Sequence, residues 1–92
     1  MKPATQAEQR LLDLVRHQVE ENFGQKYMKF EAVSFTTQVV AGTNYIIVTD
    51  TGNDVLHVKL HKPLPFRGNQ PILMKVIGGK TLESPVLPDE FV

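Results

Sequence analysis

The sequence predicts an α+β domain in which one α-helix packs on a four- to five-stranded antiparallel β-sheet. Three observations carry this expectation. One amphipathic segment opens the chain, β-branched and aromatic residues dominate from Tyr27 onward, and short polar turns separate the later runs. With 92 residues the chain is read as a single domain, residues 1–92. A chain of this size buries only about two-thirds of its unfolded surface, so its core is modest.

Thr5-Gln6-Ala7-Glu8 fits a capping box, with Thr5 accepting from the third helical amide and Glu8 reaching back to the cap. The helix is expected over residues 5–23, after a short N-terminal segment, 1–4. Ala7, Leu11, Leu14, Val15 and Val19 recur at helical spacing and form the expected dry face. Glu8, Arg10, Asp13, Arg16, His17 and Glu20 fill the other. Gly24 suits the left-handed conformation that closes a helix.

Antiparallel strands are expected within residues 27–78, near 27–38, 43–50, 55–61 and 72–77. "DTGND" reads as a polar turn, and "KPLPFRGNQP" as a longer loop before the last strand. In the third strand Leu56, Val58 and Leu60 alternate with His57, Lys59 and His61, so the first set is expected inside and the second in water. Glycines and prolines break the pattern at the end, and residues 79–92 are read as a surface-hugging tail.

Composition excludes several function classes. Ten basic residues balance ten acidic ones, which gives no whole-protein field for nucleic acid or an anionic membrane. There is no cysteine, hence no disulfide, thiolate nucleophile or thiolate metal site. The polar N-terminus lacks a signal-peptide core and no apolar run approaches membrane-spanning length, so a cytoplasmic protein is expected. His57 and His61 share a strand face but lie roughly 13 Å apart at about 3.3 Å per residue, too far for one metal ion. No carboxylate pair, Ser-His-Asp set or phosphate loop stands out, and "IGGK" lacks the rest of a P-loop. No catalytic residue, metal or cofactor is expected.

"QVVAG", Gln38 to Gly42, is unusual chemistry for a bend, because β-branched residues resist the positive φ of tight hairpins. In a meander, alternate connections emerge at one edge of the sheet. The "QVVAG" bend and the "KPLPFRGNQP" loop are therefore expected to be neighbours, and the start of the helix with "MKPA" is expected to return to them. Val39, Val40 and Ala41 on one loop and Leu64, Pro65 and Phe66 on the next would form an apolar crest, the kind of surface that marks a binding site. The alternative is that Val39 and Val40 are mid-strand core and that Phe66 folds back over the sheet.

"KFEAVSFTTQVVAGTNY", Lys29 to Tyr45, resembles the central stretch of the stefins, the intracellular single-domain cystatins. "KPAT", the helix ending "RHQVEEN" and "HVKLHKPLP" are also similar to stefins, so the resemblance runs from Lys2 to Pro65. It implies a cystatin-like fold and reversible, tight-binding inhibition of papain-like cysteine proteases such as the cathepsins. It also implies a wedge that plugs the protease cleft: Lys2 and Pro3 in the N-terminal segment, Gln38, Val39, Val40, Ala41 and Gly42 in the first loop, and Leu64, Pro65 and Phe66 in the second. Gly42 is expected to let the loop turn sharply or to let it approach the partner's backbone. A largely uncharged interface predicts an affinity that depends weakly on salt.

Two departures from the stefin pattern carry expectations. Only Met1 and Lys2 precede Pro3, so the glycine-bearing N-terminal trunk usual in stefins is expected to be missing or cut away, weakening inhibition. Phe66 stands where stefins more often have a small or polar residue, and its ring is expected to compensate in part. The reading from a different class is a cystatin-fold binding scaffold, natural or engineered, with weak or no protease inhibition. A monomer is expected; a domain-swapped dimer, opened through a strained Val40, would hide the crest.

Overall fold

The computed structural model describes residues 1–68 and 70–91, so Asn69 in the "KPLPFRGNQP" loop and Val92 at the end of the tail lie outside the described residues. One helix, α1 (Gln6–Phe23), packs on a five-stranded antiparallel meander: β1 (Lys2–Pro3), β2 (Glu31–Val40), β3 (Gly42–Asp50), β4 (Val55–Lys62) and β5 (Ile72–Lys80). Short 3₁₀ turns lie at Pro65–Arg67, between β4 and β5, and at Pro88–Phe91, after β5.

The capping box at the start of α1 is present in full. Glu8 Oε1 accepts from the Thr5 amide and hydroxyl at 2.7 Å each, Thr5 Oγ1 accepts from Ala7, and Gly24 closes the helix at φ 64°. The buried face is rotated from the expected one. Leu11, Leu12, Val15 and Val19 point into the core with Glu8 at their head, whereas Ala7 and Leu14 are exposed. Positions 8, 11, 12, 15 and 19 make the narrower stripe, and Ala7 and Leu14 fall on its flank. Against the helix lie Ile47, Leu56, Val58 and Leu60, with Phe35, Tyr45, Leu73 and Val76 around them.

The strand expected from residue 27 begins four residues later, and the cause is the helix's polar face. Arg16 donates to the Tyr27 carbonyl, and Glu20 accepts from the Tyr27 amide at 2.8 Å. Gln9 clamps both the Phe30 carbonyl and the Ala32 amide. With the Tyr27 amide and carbonyl and the Phe30 carbonyl taken by helix side chains, these groups need no strand partner. Tyr27 and Phe30 still plug the core, their rings stacked 5.7 Å apart.

Those contacts also correct the expected course of the helix. Its first turn sits beside Ala32, at the end of β2 remote from the "QVVAG" bend, and its last residue, Phe23, lies against Gly78 of β5. The helix crosses the sheet rather than returning to the loop edge. The N-terminal segment reaches toward that edge instead, because β1 pairs antiparallel with β2 through Lys2↔Phe35 and Pro3↔Ser34. Met1 therefore points toward Gln38.

A second correction concerns the outer sheet face. His57 was expected in solvent and is fully buried, with neither ring nitrogen finding a hydrogen-bond partner among the described residues. Residues 81–91 fold back over this face: Lys80 pairs with Glu90 at 2.6 Å, Lys59 donates to the Phe91 carbonyl, and Phe91 is buried. Alternation assigned His57 to the correct face, but the tail covers it.

A neutral imidazole suits this site. Burial depresses the His57 pKa below its ordinary value, Lys80 adds to the effect and Glu90 opposes it. Stability from this group is therefore full above the unfolded value of about 6.5 and lost as pH falls below it, when the ring must charge. His57→Leu is expected to leave the melting temperature at pH 7.5 nearly unchanged or higher. At pH 5 it should be more stable than the wild type, since leucine has no proton-binding group that folding must hold neutral. Parallel loss of stability in both proteins between those two pH values would contradict this account.

Candidate functional site

The β2–β3 turn is tighter than the expected strands, 27–38 and 43–50, implied, because β2 runs on through Val40 and β3 starts at Gly42. Val39 pairs with Thr43 and Val40 with Gly42, leaving Ala41 alone at the tip. The bend is made by Gly42, at φ 105°, and no non-glycine residue among the described residues has positive φ. Val40 is thus not strained, contrary to the expectation. The two valines occupy ordinary extended backbone, with the conformational demand moved to the glycine beside them.

Gly42 is also where the two loops meet. A Cβ built there would lie 2.5 Å from the Lys62 carbonyl oxygen and 2.9 Å from His61 Cε1. Gly42 thus makes a close backbone approach within the chain, onto the end of β4. Thr43↔Lys62 and Asn44↔His61 continue the pairing, and Asn44 Oδ1 meets His61 Nδ1 at 2.7 Å directly beneath the turn. Sequence reading missed Asn44 and His61 as supports of the first loop; their opposition follows only from the β3–β4 register.

Beyond Lys62 the chain passes Pro63 and Leu64 into the 3₁₀ turn Pro65–Arg67, closed by the Arg67 amide donating to the Leu64 carbonyl at 2.8 Å. Proline fixes φ at the first position of that turn and lowers the entropy lost when the loop is held. Phe66 projects outward, 78% exposed, with the Arg67 guanidinium 5.5 Å above its ring. Val39 is 85% exposed and Val40 43%. The alternative of valines in the core and a folded-back phenylalanine does not hold.

Gln38, Ala41 and Pro65 are exposed, Leu64 is half-buried and Gly42 is buried under its own turn. Lys2 and Pro3 are exposed on β1, near the middle of β2 rather than at its tip. The structure thus brings Gln38 to Gly42 and Leu64 to Phe66 together at one edge and sets Lys2 and Pro3 alongside. This edge has the makings of a binding wedge: apolar side chains held out on two stiff, mutually braced turns.

Elsewhere, a groove of about 660 Å³ lies between the outer sheet face and the tail. Its one ionisable side chain among the described residues is Lys59, already tied to the Phe91 carbonyl. That offers no acid–base pair. Among the described residues no helix is long and apolar enough to cross a membrane.

A family model described as "Cystatin domain" matches residues 1–76, which covers the helix, both loops and most of the sheet and stops before the tail. The chain is 45% identical over 73 residues to Cystatin-A of Homo sapiens, spanning 78% of this chain and 74% of that protein. It is 44% identical over 75 residues to Cystatin-B of Macaca fuscata fuscata, spanning 80% and 76%. With Cystatin-B of Homo sapiens it shares 43% over 74 residues, spanning 79% and 74%. A helix laid across a five-stranded meander, two braced apolar turns at one edge and this extent of sequence identity agree: the chain belongs to the cystatin family.

Proposed function

We propose that this chain is a reversible, tight-binding inhibitor of papain-like cysteine proteases of the cathepsin type, and that it plugs their active-site cleft with the crest. The carrying observation is the near-complete exposure of Val39 and Phe66 on neighbouring turns. Folding gains nothing from holding two large apolar side chains in water, whereas burying them in a cleft contributes about 25 cal/mol per Å². Because the turns are formed before any partner arrives, little of that gain is lost to ordering.

The mechanism is occlusion. Val39, Val40 and Ala41 enter one side of the cleft and Leu64, Pro65 and Phe66 the other, displacing water around the catalytic cysteine. Gln38 flanks the first loop, and Lys2 and Pro3 direct the N-terminus along the same cleft. Gly42 keeps the loops at fixed separation. No peptide bond of the inhibitor need lie where the thiolate could attack, so release returns an intact chain. The protein acts on enzymes without being one. We assign the inhibiting form to the monomer, since a dimer swapped through the first loop would straighten the crest, and we assign the protein to the cytoplasm on its likeness to stefins.

The test is titration of a papain-like protease with size-verified monomer, following substrate hydrolysis, beside Phe66→Ala. Intact monomer should inhibit at close to one to one. Phe66→Ala should raise Kd roughly 30-fold, about 2 kcal/mol, chiefly through faster dissociation. No inhibition by the monomer would overturn the reading, and an unchanged Kd for the variant would remove Phe66 from it.

A further inference from the structure

We propose that the β4–β5 hairpin makes the crest electropositive and that this field selects and speeds association with proteases whose cleft rim is acidic. The inference rests on the inhibitor reading above and specifies its partner. Net neutrality hides a strong segregation of charge. Residues 55–80 contain four lysines, one arginine and no aspartate or glutamate, and residues 32–49 contain no charged residue at all. The strand carboxylates and turn carboxylate, Glu31, Asp50 and Asp54, lie at the edge opposite the crest, where Lys29 already pairs with Asp50 at 3.0 Å.

Within the hairpin, Lys62 and Arg67 flank the second loop, and both are exposed. Lys59 and Lys75 stand directly opposite each other across β4 and β5. Like charges in that position are destabilising, and no carboxylate of the described residues comes within ion-pair distance of Lys59, Lys62, Arg67 or Lys75. Lys80 is the cation of this segment that is neutralised, by Glu90. The tail adds Glu83, Asp89 and Glu90, of which Glu90 pairs with Lys80, but the charges that flank the crest itself, Lys62 and Arg67, are of one sign, although the protein as a whole has no net charge.

Such a field acts mainly on encounter. At low salt, complementary potentials raise association rates by about 10- to 1,000-fold, whereas the apolar contacts that set the lifetime of the complex are nearly insensitive to salt. The weak salt dependence expected of an uncharged interface then holds for dissociation and fails for association. A protease with a basic rim would be met slowly, and discrimination between targets would lie in kon.

Stopped-flow association with two papain-like proteases, one with an acidic and one with a basic cleft rim, tests this. Raising NaCl from about 25 to about 300 mM shortens the Debye length from about 20 to about 6 Å. For the acidic-rim protease, kon should fall about fivefold or more over that range, with koff changing less than twofold. Lys75→Glu, behind the crest, should flatten this slope and lower kon at low salt about threefold, again with koff preserved. Lys26→Glu, the same charge change between α1 and β2 at the opposite edge, should leave the slope near the wild-type value. A flat slope for the wild type, or equal slopes for Lys75→Glu and Lys26→Glu, overturns the steering while inhibition stands. Absence of a complex with either protease at any salt overturns the inhibitor reading and the steering with it.

Discussion

Val40→Asp is expected to abolish tight inhibition while leaving the fold intact. In the free protein the new carboxylate would sit at an exposed hairpin tip, where Val40 contributes little to the core, so stability should change by less than about 1 kcal/mol. In the complex the same carboxylate would be pressed into an apolar cleft and stripped of its water. Burying an unpaired charge costs about 3–5 kcal/mol after relaxation, which weakens binding roughly 200- to 5,000-fold. Titration of the protease and a thermal melt on the same sample separate the two effects. A melt at the wild-type temperature with inhibition lost locates binding on the crest. Full inhibition by Val40→Asp would place the interface on another surface, and a collapsed melt would return Val40 to the core. Val40→Ala, which removes apolar area without adding charge, should show a far smaller loss.

The features that make this prediction possible were legible in the chain. The capping box, the strand alternation and the polar turns fixed the order of elements, and connectivity placed two loops at one edge. Stefin-like "QVVAG" and "HVKLHKPLP" then assigned those loops to a partner. What sequence reading lost has a common physical origin. Periodicity tells which residues share a face, but not what covers it, so His57 was placed on the right side of β4 with the wrong environment. The covering tail lies beyond the family match and has no period of its own. The helix stripe was misread by a fraction of a turn because Leu11, Leu12, Leu14 and Val15 are all apolar, and only the sheet beneath decides among them. Residues 27–30 have strand-like composition yet are held by Arg16, Glu20 and Gln9, long-range partners that no local window includes. A two-residue strand such as β1 is too short to show a pattern at all.

Gly42→Ala is the second large effect, and it acts on both loops at once. The backbone there is at φ 105°, which an alanine adopts only at a cost of about 1–2 kcal/mol. The added methyl would also lie 2.5 Å from the Lys62 carbonyl oxygen, a backbone atom that can yield only if the end of β4 moves. We expect a total loss of about 3 kcal/mol in stability, read from denaturant unfolding. Gly24→Ala supplies the comparison, since Gly24 also has positive φ but nothing lies within 4 Å of a Cβ built there. Its cost should stay near about 1 kcal/mol, and the excess at Gly42 combines the less favourable φ with the clash. Displacing Lys62 breaks the Thr43↔Lys62 register and carries the Pro65–Arg67 turn with it, so the spacing between Val39 and Phe66 changes. Folded Gly42→Ala should therefore inhibit more weakly than Phe66→Ala, although it removes no side chain from the crest. If the two glycine variants prove equally stable and both inhibit fully, the turns are independent of each other, and the wedge owes its geometry to some other contact.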